Sequence, residues 1–229
     1  MTDDWLRARL EPVLDLLAGD PASLSSVRDP ERAWRVHVAD SLSGLELVGA
    51  PARVADVGAG AGFPGLVLAA ALPATRVDLV ESVGRKCEFI GRAIEVAGLD
   101  NARVVCTRAE SWAAEAEPGG GREAYDVVTA RAVGRLATLA ELASPLLHER
   151  GALIAWKGRR DRAEEDEIVR AAQRLAMEPG EVRWVGPYAG SENRHLHVIR
   201  KSGPTPADLP RRPGMAKKRP FGARRRAPG

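Results

Sequence analysis

The sequence predicts an α/β fold with a doubly wound, mostly parallel sheet of seven strands. From Val54 onward, apolar segments of strand length alternate with helical patterns of about 10 to 15 residues, which is typical of parallel strands joined by helices. The last two apolar segments, EVRWVGPY and HLHVIRK, are separated by only a few residues, so they predict an antiparallel hairpin at the end of the sheet. A chain of 229 residues with 45% hydrophobic and 28% charged residues is long enough to bury one such core.

Residues 1–50 predict a helical extension that precedes the sheet. Residues 4–18 place their apolar side chains on one helical stripe, and Pro12 leaves open whether this segment forms one helix or two. A second helix is predicted from Asp29 to about Leu47, since aspartate is a good N-cap and proline suits the first helical position.

Residues 51–201 hold the alternating elements and form the main domain. Before the hairpin, the predicted strands are RVADVG, RVDLVE, ARVVCT, YDVVTAR and GALIAWK. The predicted helices run over residues 64–72, 83–97, 137–147 and 162–176.

The basic charge of the chain is concentrated in residues 202–229. The whole chain carries +3, whereas this Pro- and Arg-rich segment carries +7, so residues 1–201 carry −4. The composition predicts a flexible tail that packs no core of its own. Two interpretations stay open: a phosphate-seeking arm for nucleic acid, or a solvated terminus that keeps the protein soluble.

The sequence indicates neither a membrane segment nor a metal site. No apolar run reaches the length of about 18 residues that a membrane span needs, and the N-terminus lacks the pattern of a signal peptide. We therefore expect a cytoplasmic protein without a membrane partner. Cys87 and Cys106 lack a CxxC spacing, so we expect two free, buried cysteines and no metal site.

The glycine-rich loop VADVGAGAGFPG, residues 54–65, predicts a nucleotide cofactor. Gly58, Gly60 and Gly62 remove side chains where a cofactor must lie against the main chain. Part of the loop matches the dinucleotide pattern GxGxxG, but Asp56 precedes the first glycine, where its carboxylate would repel a diphosphate. The same carboxylate suits the cationic amino acid end of S-adenosylmethionine, directly or through water. We therefore favour S-adenosylmethionine over a nicotinamide dinucleotide, and a Rossmann-like class I methyltransferase fold.

Further site residues are predicted at the ends of later strands. Glu81 ends the second strand, where a carboxylate can accept hydrogen bonds from both ribose hydroxyls. Ala109 and Glu110 follow the third strand and suit contacts with an adenine edge. Three cations lie beside the later strands: Arg131, Lys157 and Arg194. We expect them to converge on the cofactor edge, which favours an anionic or electron-rich substrate.

The segments DVGAGAGFPG, ESVGRK, TRAE, TARAV, AWKG and ENRHLHVIRK together resemble the RsmG family, also called GidB, the 16S ribosomal RNA guanine-N7 methyltransferases. The segment SLSSVRDPERAWRVHVADSL and the tail PRRPGMAKKRPFG extend the resemblance over residues 23–221. The resemblance implies S-adenosylmethionine contacts at Gly58, Phe63, Ala109, Glu110 and Arg131. It implies RNA-side roles for Lys157 and Arg194 and adds two candidates, Arg28 and His37. Asp40, one helical turn after His37, is a candidate partner for that histidine.

The implied reaction needs no general base, because guanine N7 carries an in-plane lone pair at neutral pH. The resemblance therefore implies catalysis by positioning, with Arg131, Lys157 and Arg194 as the catalytic assignments. It also implies 16S rRNA as the partner, in the small ribosomal subunit or its precursor, and we expect a monomer. Two alternatives stay open: a methyltransferase that uses S-adenosylmethionine on another substrate, and a non-catalytic RNA-binding factor.

Overall fold

One mixed sheet organises the chain, for which a computed structural model describes residues 3–21, 24–131 and 134–223. The strands are β1 (Arg53–Val57), β2 (Arg76–Glu81), β3 (Ala102–Cys106), β4 (Tyr125–Arg131), β5 (Leu147–Lys157), β6 (Met177–Val185) and β7 (Arg194–Lys201). Their order is β3-β2-β1-β4-β5-β7-β6. Strands β1 to β5 run parallel, whereas β7 is antiparallel to both β5 and β6. The predicted seven-stranded, doubly wound sheet with an antiparallel hairpin is confirmed.

Helices cover both faces of this sheet. They are α1 (Asp3–Gly19), α2 (Pro30–Ala33), α3 (Asp40–Leu42), α4 (Leu45–Val48), α5 (Gly65–Ala71), α6 (Gly84–Ala97), α7 (Ala109–Trp112), α8 (Leu136–Ala143), α9 (Arg162–Leu175) and α10 (Met215–Lys218). Neighbouring residues of β1 point to opposite faces: Val54 belongs to a core cluster with α1, α5 and α6, and Ala55 to one with α8 and α9. Two apolar cores therefore enclose the sheet.

The first helix is continuous through Pro12, so the segment forms one helix and not two. Its apolar stripe is buried: Leu10, Val13, Leu14 and Leu17 are each at most 6% exposed and belong to the core cluster that contains α5 and α6. Burial of this stripe outweighs the backbone hydrogen bond that proline cannot make.

The second predicted helix begins as expected but is not regular. The side chain of Asp29 caps it by accepting a hydrogen bond from Arg32 N at 2.7 Å. A π-helical turn, Trp34–Ala39, then separates α2 from α3. Such turns widen the helix locally and often occur at functional sites.

The N-terminal extension is fastened to the sheet through Trp156 of β5. The indole Nε1 of Trp156 donates to the backbone oxygen of Asp40 at 2.9 Å, and its ring packs directly against Gly44. A Cβ atom at Gly44 would lie 2.2 Å from the Trp156 ring, so only glycine allows this approach.

Residues 203–223, which we call the strap, pack against the main domain, although their composition predicted flexibility. Leu209 and Ala216 are 3% and 2% exposed, and the guanidinium groups of Arg174 and Arg211 lie over the ring of Phe221. A few apolar side chains thus anchor a segment whose polar composition predicts flexibility. The rest of the predicted tail, residues 224–229, lies outside the described residues.

The prediction of two free cysteines is wrong, because the structure joins Cys87 and Cys106 in a disulfide. Helix α6 begins beside the carboxyl end of β3, which brings together two residues that are 19 apart in the sequence. No helix among the described residues is long and apolar enough to span a membrane.

We predict that Gly44→Ala lowers the free energy of unfolding by about 1 to 3 kcal/mol, because the added methyl group overpacks the Trp156 contact. Gly19→Ala is the matched control, since nothing lies within 4 Å of its new Cβ and alanine is the better helix former. Urea unfolding of both variants measures the difference. Equal stability of the two variants would contradict the prediction.

Candidate active site

A cavity of about 530 Å³ lies beside the glycine loop, at the carboxyl ends of β1 to β4. We call it the large cavity. This size is suitable for a nucleoside cofactor. Six of the predicted cofactor residues line it: Gly58, Gly60, Glu81, Ala109, Glu110 and Arg131. Three others do not: Asp56, Gly62 and Phe63.

The glycine loop lies against the cavity with its backbone in a left-handed conformation. Gly58 and Gly60 have φ angles of 68° and 62°, which favour glycine, and their missing side chains leave the main chain open to the cavity. Gly62 serves the loop itself, because a Cβ there would lie 2.3 Å from Leu66 Cδ1 of α5. The third glycine therefore permits close packing of loop and helix.

Glu81 is held in one orientation at the end of β2. Its Oε1 accepts hydrogen bonds from the backbone amides of Ser82 and Val83 at 2.8 and 3.0 Å, and its Oε2 accepts one from Gly60 N at 3.0 Å. The Lys86 ammonium lies 3.8 Å from Oε2. This carboxylate therefore links the glycine loop to the second strand and presents an acceptor at the cavity wall.

Asp56 lies beneath the loop, where it is 1% exposed. Its Oδ2 accepts a hydrogen bond from Gly65 N and its Oδ1 one from Thr129 Oγ1, both at 2.9 Å. Burial raises the pKa of this carboxyl to about 6, even though both hydrogen bonds favour the charged form. The observed contacts make Asp56 a brace between the loop and β4, and its contact with a cofactor stays a prediction.

Arg131, at the end of β4, is a wall of two adjoining cavities. It lines the large cavity and also a smaller one of about 130 Å³, which is lined in addition by Asp40, Trp156, Lys157 and Arg194. The three cations predicted at strand ends therefore do converge on one place, and that place adjoins the cofactor edge.

Asp40 pairs with two of these cations, although the sequence suggested His37 as its partner. Its Oδ2 lies 3.0 Å from Arg131 Nη1 and its Oδ1 3.4 Å from Arg194 Nε. Asp40 is only 4% exposed, so its carboxylate is enclosed by the guanidinium groups that neutralise it. The sequence showed Asp40 near His37, but it did not reveal which cation the tertiary fold brings to it.

His37 packs on Phe63 of the glycine loop. The rings are stacked with centroids 4.8 Å apart, and His37 Nε2 lies 3.0 Å from Ser25 Oγ. Burial, with the nearby Arg131 charge, lowers the pKa of His37 to about 4, so the imidazole is neutral at pH 7. The guanidinium of Arg131 also lies 5.6 Å from the Phe63 ring. Arg131 thus has His37 of the extension and Phe63 of the glycine loop as neighbours.

The remaining predicted cations differ in their surroundings. Lys157 Nζ donates to Gly134 O and Glu164 Oε1, both at 2.7 Å. Arg194 Nη2 donates to the Tyr188 hydroxyl at 3.2 Å. Arg28 donates to Ala18 O at the end of α1 and lines neither of the two cavities. Its role on the RNA side stays a prediction.

Comparison with known proteins decides the family. The model of the GidB family, described as rRNA small subunit methyltransferase G, matches residues 14–196. The chain belongs to this family. Two relatives with the name ribosomal RNA small subunit methyltransferase G are similar to this chain over most of their length. That of Roseiflexus castenholzii is 43% identical over 87% of this chain and 84% of its own, and that of Chloroflexus aggregans is 40% identical over 93% and 90%.

Solved structures support the fold assignment. A SAM-dependent methyltransferase from Aquifex aeolicus superposes with a TM-score of 0.56 at 17% identity, covering 80% of this chain and 98% of its own. The 1,6-didemethyltoxoflavin-N1-methyltransferase of Burkholderia thailandensis superposes with a TM-score of 0.52 at 16% identity, covering 82% and 88%. The class I methyltransferase fold predicted from the sequence is confirmed.

As a member of the GidB family, the protein is a methyltransferase whose cofactor is S-adenosylmethionine. The large cavity fits this cofactor, because open glycine backbone and the oriented Glu81 carboxylate meet there. When bound, S-adenosylmethionine supplies an electrophilic methyl group on a sulfonium.

We predict that Asp56→Asn changes how stability depends on pH. The raised pKa means that the folded protein holds this proton more tightly than the unfolded chain. Protonated Asp56 therefore stabilises the fold below its ordinary pKa, and this stabilisation is lost as the pH rises through about 6. Relative to the variant, the wild type should lose about 2 to 3 kcal/mol of unfolding free energy between about pH 4 and pH 8. Urea unfolding across this range measures the difference, and a constant difference would contradict the prediction.

Proposed function

We propose that the protein transfers a methyl group from S-adenosylmethionine to N7 of a guanine in 16S rRNA of the small ribosomal subunit. The observation that supports this most directly is Arg131, which lines both the cofactor cavity and the smaller cationic cavity beside it. In this proposal the smaller cavity receives the target nucleotide, and Arg131 holds the boundary at which the two reactants meet.

The side chains around this boundary suit an electron-rich acceptor that needs no deprotonation. With the cofactor bound, the N7 lone pair would attack the methyl carbon, the carbon–sulfur bond would break with its electron pair going to sulfur, and the positive charge would move to the base. No proton leaves N7. The carboxylate in the smaller cavity, Asp40, is paired with Arg131 and Arg194, so its contacts suit positioning and not proton abstraction. Positioning of two reactants supplies up to about 7 to 11 kcal/mol.

The proposed partner fits the distribution of charge. Residues 1–201 carry −4, so bulk attraction does not favour RNA binding, whereas the cations of the smaller cavity and the basic C-terminal residues favour it locally. We propose that these groups guide the RNA, and that Lys157 and Arg194 contact it beside the target base.

The direct test is to incubate the protein with methyl-labelled S-adenosylmethionine and small ribosomal subunits from cells that lack this modification. Chemical cleavage at N7-methylguanine then maps the label. We expect one labelled guanine in 16S rRNA. Transfer to another atom would contradict the N7 assignment, and absence of transfer from protein that binds the cofactor would favour a non-catalytic RNA-binding factor.

We predict that Arg131→Met lowers kcat/KM by about 10²-fold or more, because it removes a wall of both cavities and leaves Asp40 with one cation fewer. Arg7→Met is the charge-matched control, since Arg7 pairs with Glu11 on α1 and lines neither cavity. Single-turnover methylation at saturating cofactor measures both. Equal rates for the two variants would exclude the role of Arg131.

We also predict that deleting residues 224–229 flattens the salt dependence of RNA binding. The deletion removes Arg224, Arg225 and Arg226 and leaves the strap intact. If all three contact phosphates, the slope of log K against log salt should fall by about 2 to 3. Fluorescence anisotropy with an rRNA fragment at several salt concentrations measures the slope. Equal slopes would favour the alternative, a terminus that only aids solubility.

A further inference from the structure

We propose that the strap is part of the cofactor site, with Gly214, Ala216 and Lys217 forming the wall that encloses the adenine end of S-adenosylmethionine. These three residues line the large cavity together with residues that follow β3 and residues of α8. The inference depends on the identity of the cofactor, and it does not depend on which nucleotide is methylated.

The strap is anchored to the main domain on both sides of this wall. Before it, Arg211 makes a bidentate pair with the buried carboxylate of Glu141 on α8, with contacts of 2.6 and 2.5 Å. After it, Gly222 O accepts a hydrogen bond from Arg170 Nε at 2.9 Å. Between these anchors, Thr138 Oγ1 donates to Ala216 O at 3.2 Å. These contacts fix the position of the wall relative to α8 and α9.

The contact with Glu110 assigns the strap to the adenine end of the cavity. Gly214 N donates to Glu110 Oε1 at 2.7 Å, so the strap orients a carboxylate of α7, the short helix after β3. Glu81, at the end of the neighbouring β2, is placed to bind ribose, which puts the base one strand farther along, beside Glu110.

The chemistry of this wall suits a purine ring. Ala216 is 2% exposed, and it lines the cavity with the apolar side chains of Leu142 and Val80. Nucleotide pockets enclose most of the ligand surface. Here the strap covers a side of the cavity that the sheet and its loops leave open.

The test compares two glycines with the same left-handed backbone conformation. Gly214 and Gly190 have φ angles of 84° and 90°, a Cβ added at either would have no atom within 4 Å, and both donate their N–H to a glutamate side chain. A valine is a severe outlier at positive φ, so either variant distorts its own segment. Gly190 lies in the loop between β6 and β7 and does not line the cavity.

We expect Gly214→Val to raise the Kd for S-adenosylhomocysteine at least about tenfold in calorimetry, and Gly190→Val to change it less than about twofold. The Kd for 5′-methylthioadenosine, which has the adenosine but no amino acid, should rise by the same factor. An unchanged Kd for Gly214→Val would overturn the inference. A loss confined to S-adenosylhomocysteine would overturn the adenine assignment.

Hydrogen exchange on the unaltered protein tests the inference even if the valine variant does not fold. S-adenosylhomocysteine should slow amide exchange at residues 214–218. It should leave unchanged the two exchangeable amides at the start of the strap, those of Gly203 and Thr205, since Pro204 and Pro206 have none. Equal exchange with and without ligand would overturn the inference. A protein that passes these binding tests but does not methylate rRNA would contradict the proposed function alone.

Discussion

The arrangement of the site depends on one buried carboxylate, that of Asp40. It lies between the guanidinium groups of Arg131 and Arg194, which come from the ends of β4 and β7. The backbone oxygen of the same residue accepts the Trp156 indole N–H, so the helical extension and the sheet meet at this point. The two guanidinium groups repel each other, and the Asp40 carboxylate between them neutralises them. A buried charge left unpaired costs several kcal/mol. The extension is therefore an integral part of the site.

The two cavities differ in what their walls offer a ligand. Open glycine backbone and the carboxylates of Glu81 and Glu110 line the large cavity, together with four cations: Lys86, Arg108, Arg131 and Lys217. The smaller cavity, proposed for the nucleotide, has three cations around a single carboxylate, that of Asp40. Asp56 shows that a carboxylate in this region also serves the fold, because both its oxygens bind the loop and β4. The three cations around Asp40 thus form a local cationic site in a body of net negative charge.

The sheet could be predicted from the sequence because alternation of strands and helices is a local pattern. The cavity residues that end strands, such as Glu81 and Arg131, could be predicted for the same reason. Contacts set by distant segments could not. The pairing of Asp40 with Arg194 joins residues far apart in the chain, and the disulfide between Cys87 and Cys106 depends on how α6 lies beside β3. The packing of the strap could not be predicted, because its overall composition is polar and only a few of its side chains are buried.

Arg131 also has a thermodynamic consequence. A side chain that forms a wall of two cavities makes their occupancies interdependent, since any ligand that shifts it in one changes the other. Linkage requires this effect to be reciprocal: the factor by which the cofactor changes the affinity for the nucleotide equals the factor by which the nucleotide changes the affinity for the cofactor. In the proposed transfer to N7, sulfur loses its positive charge and the base gains one, so both sides of that coupling would change in a single step.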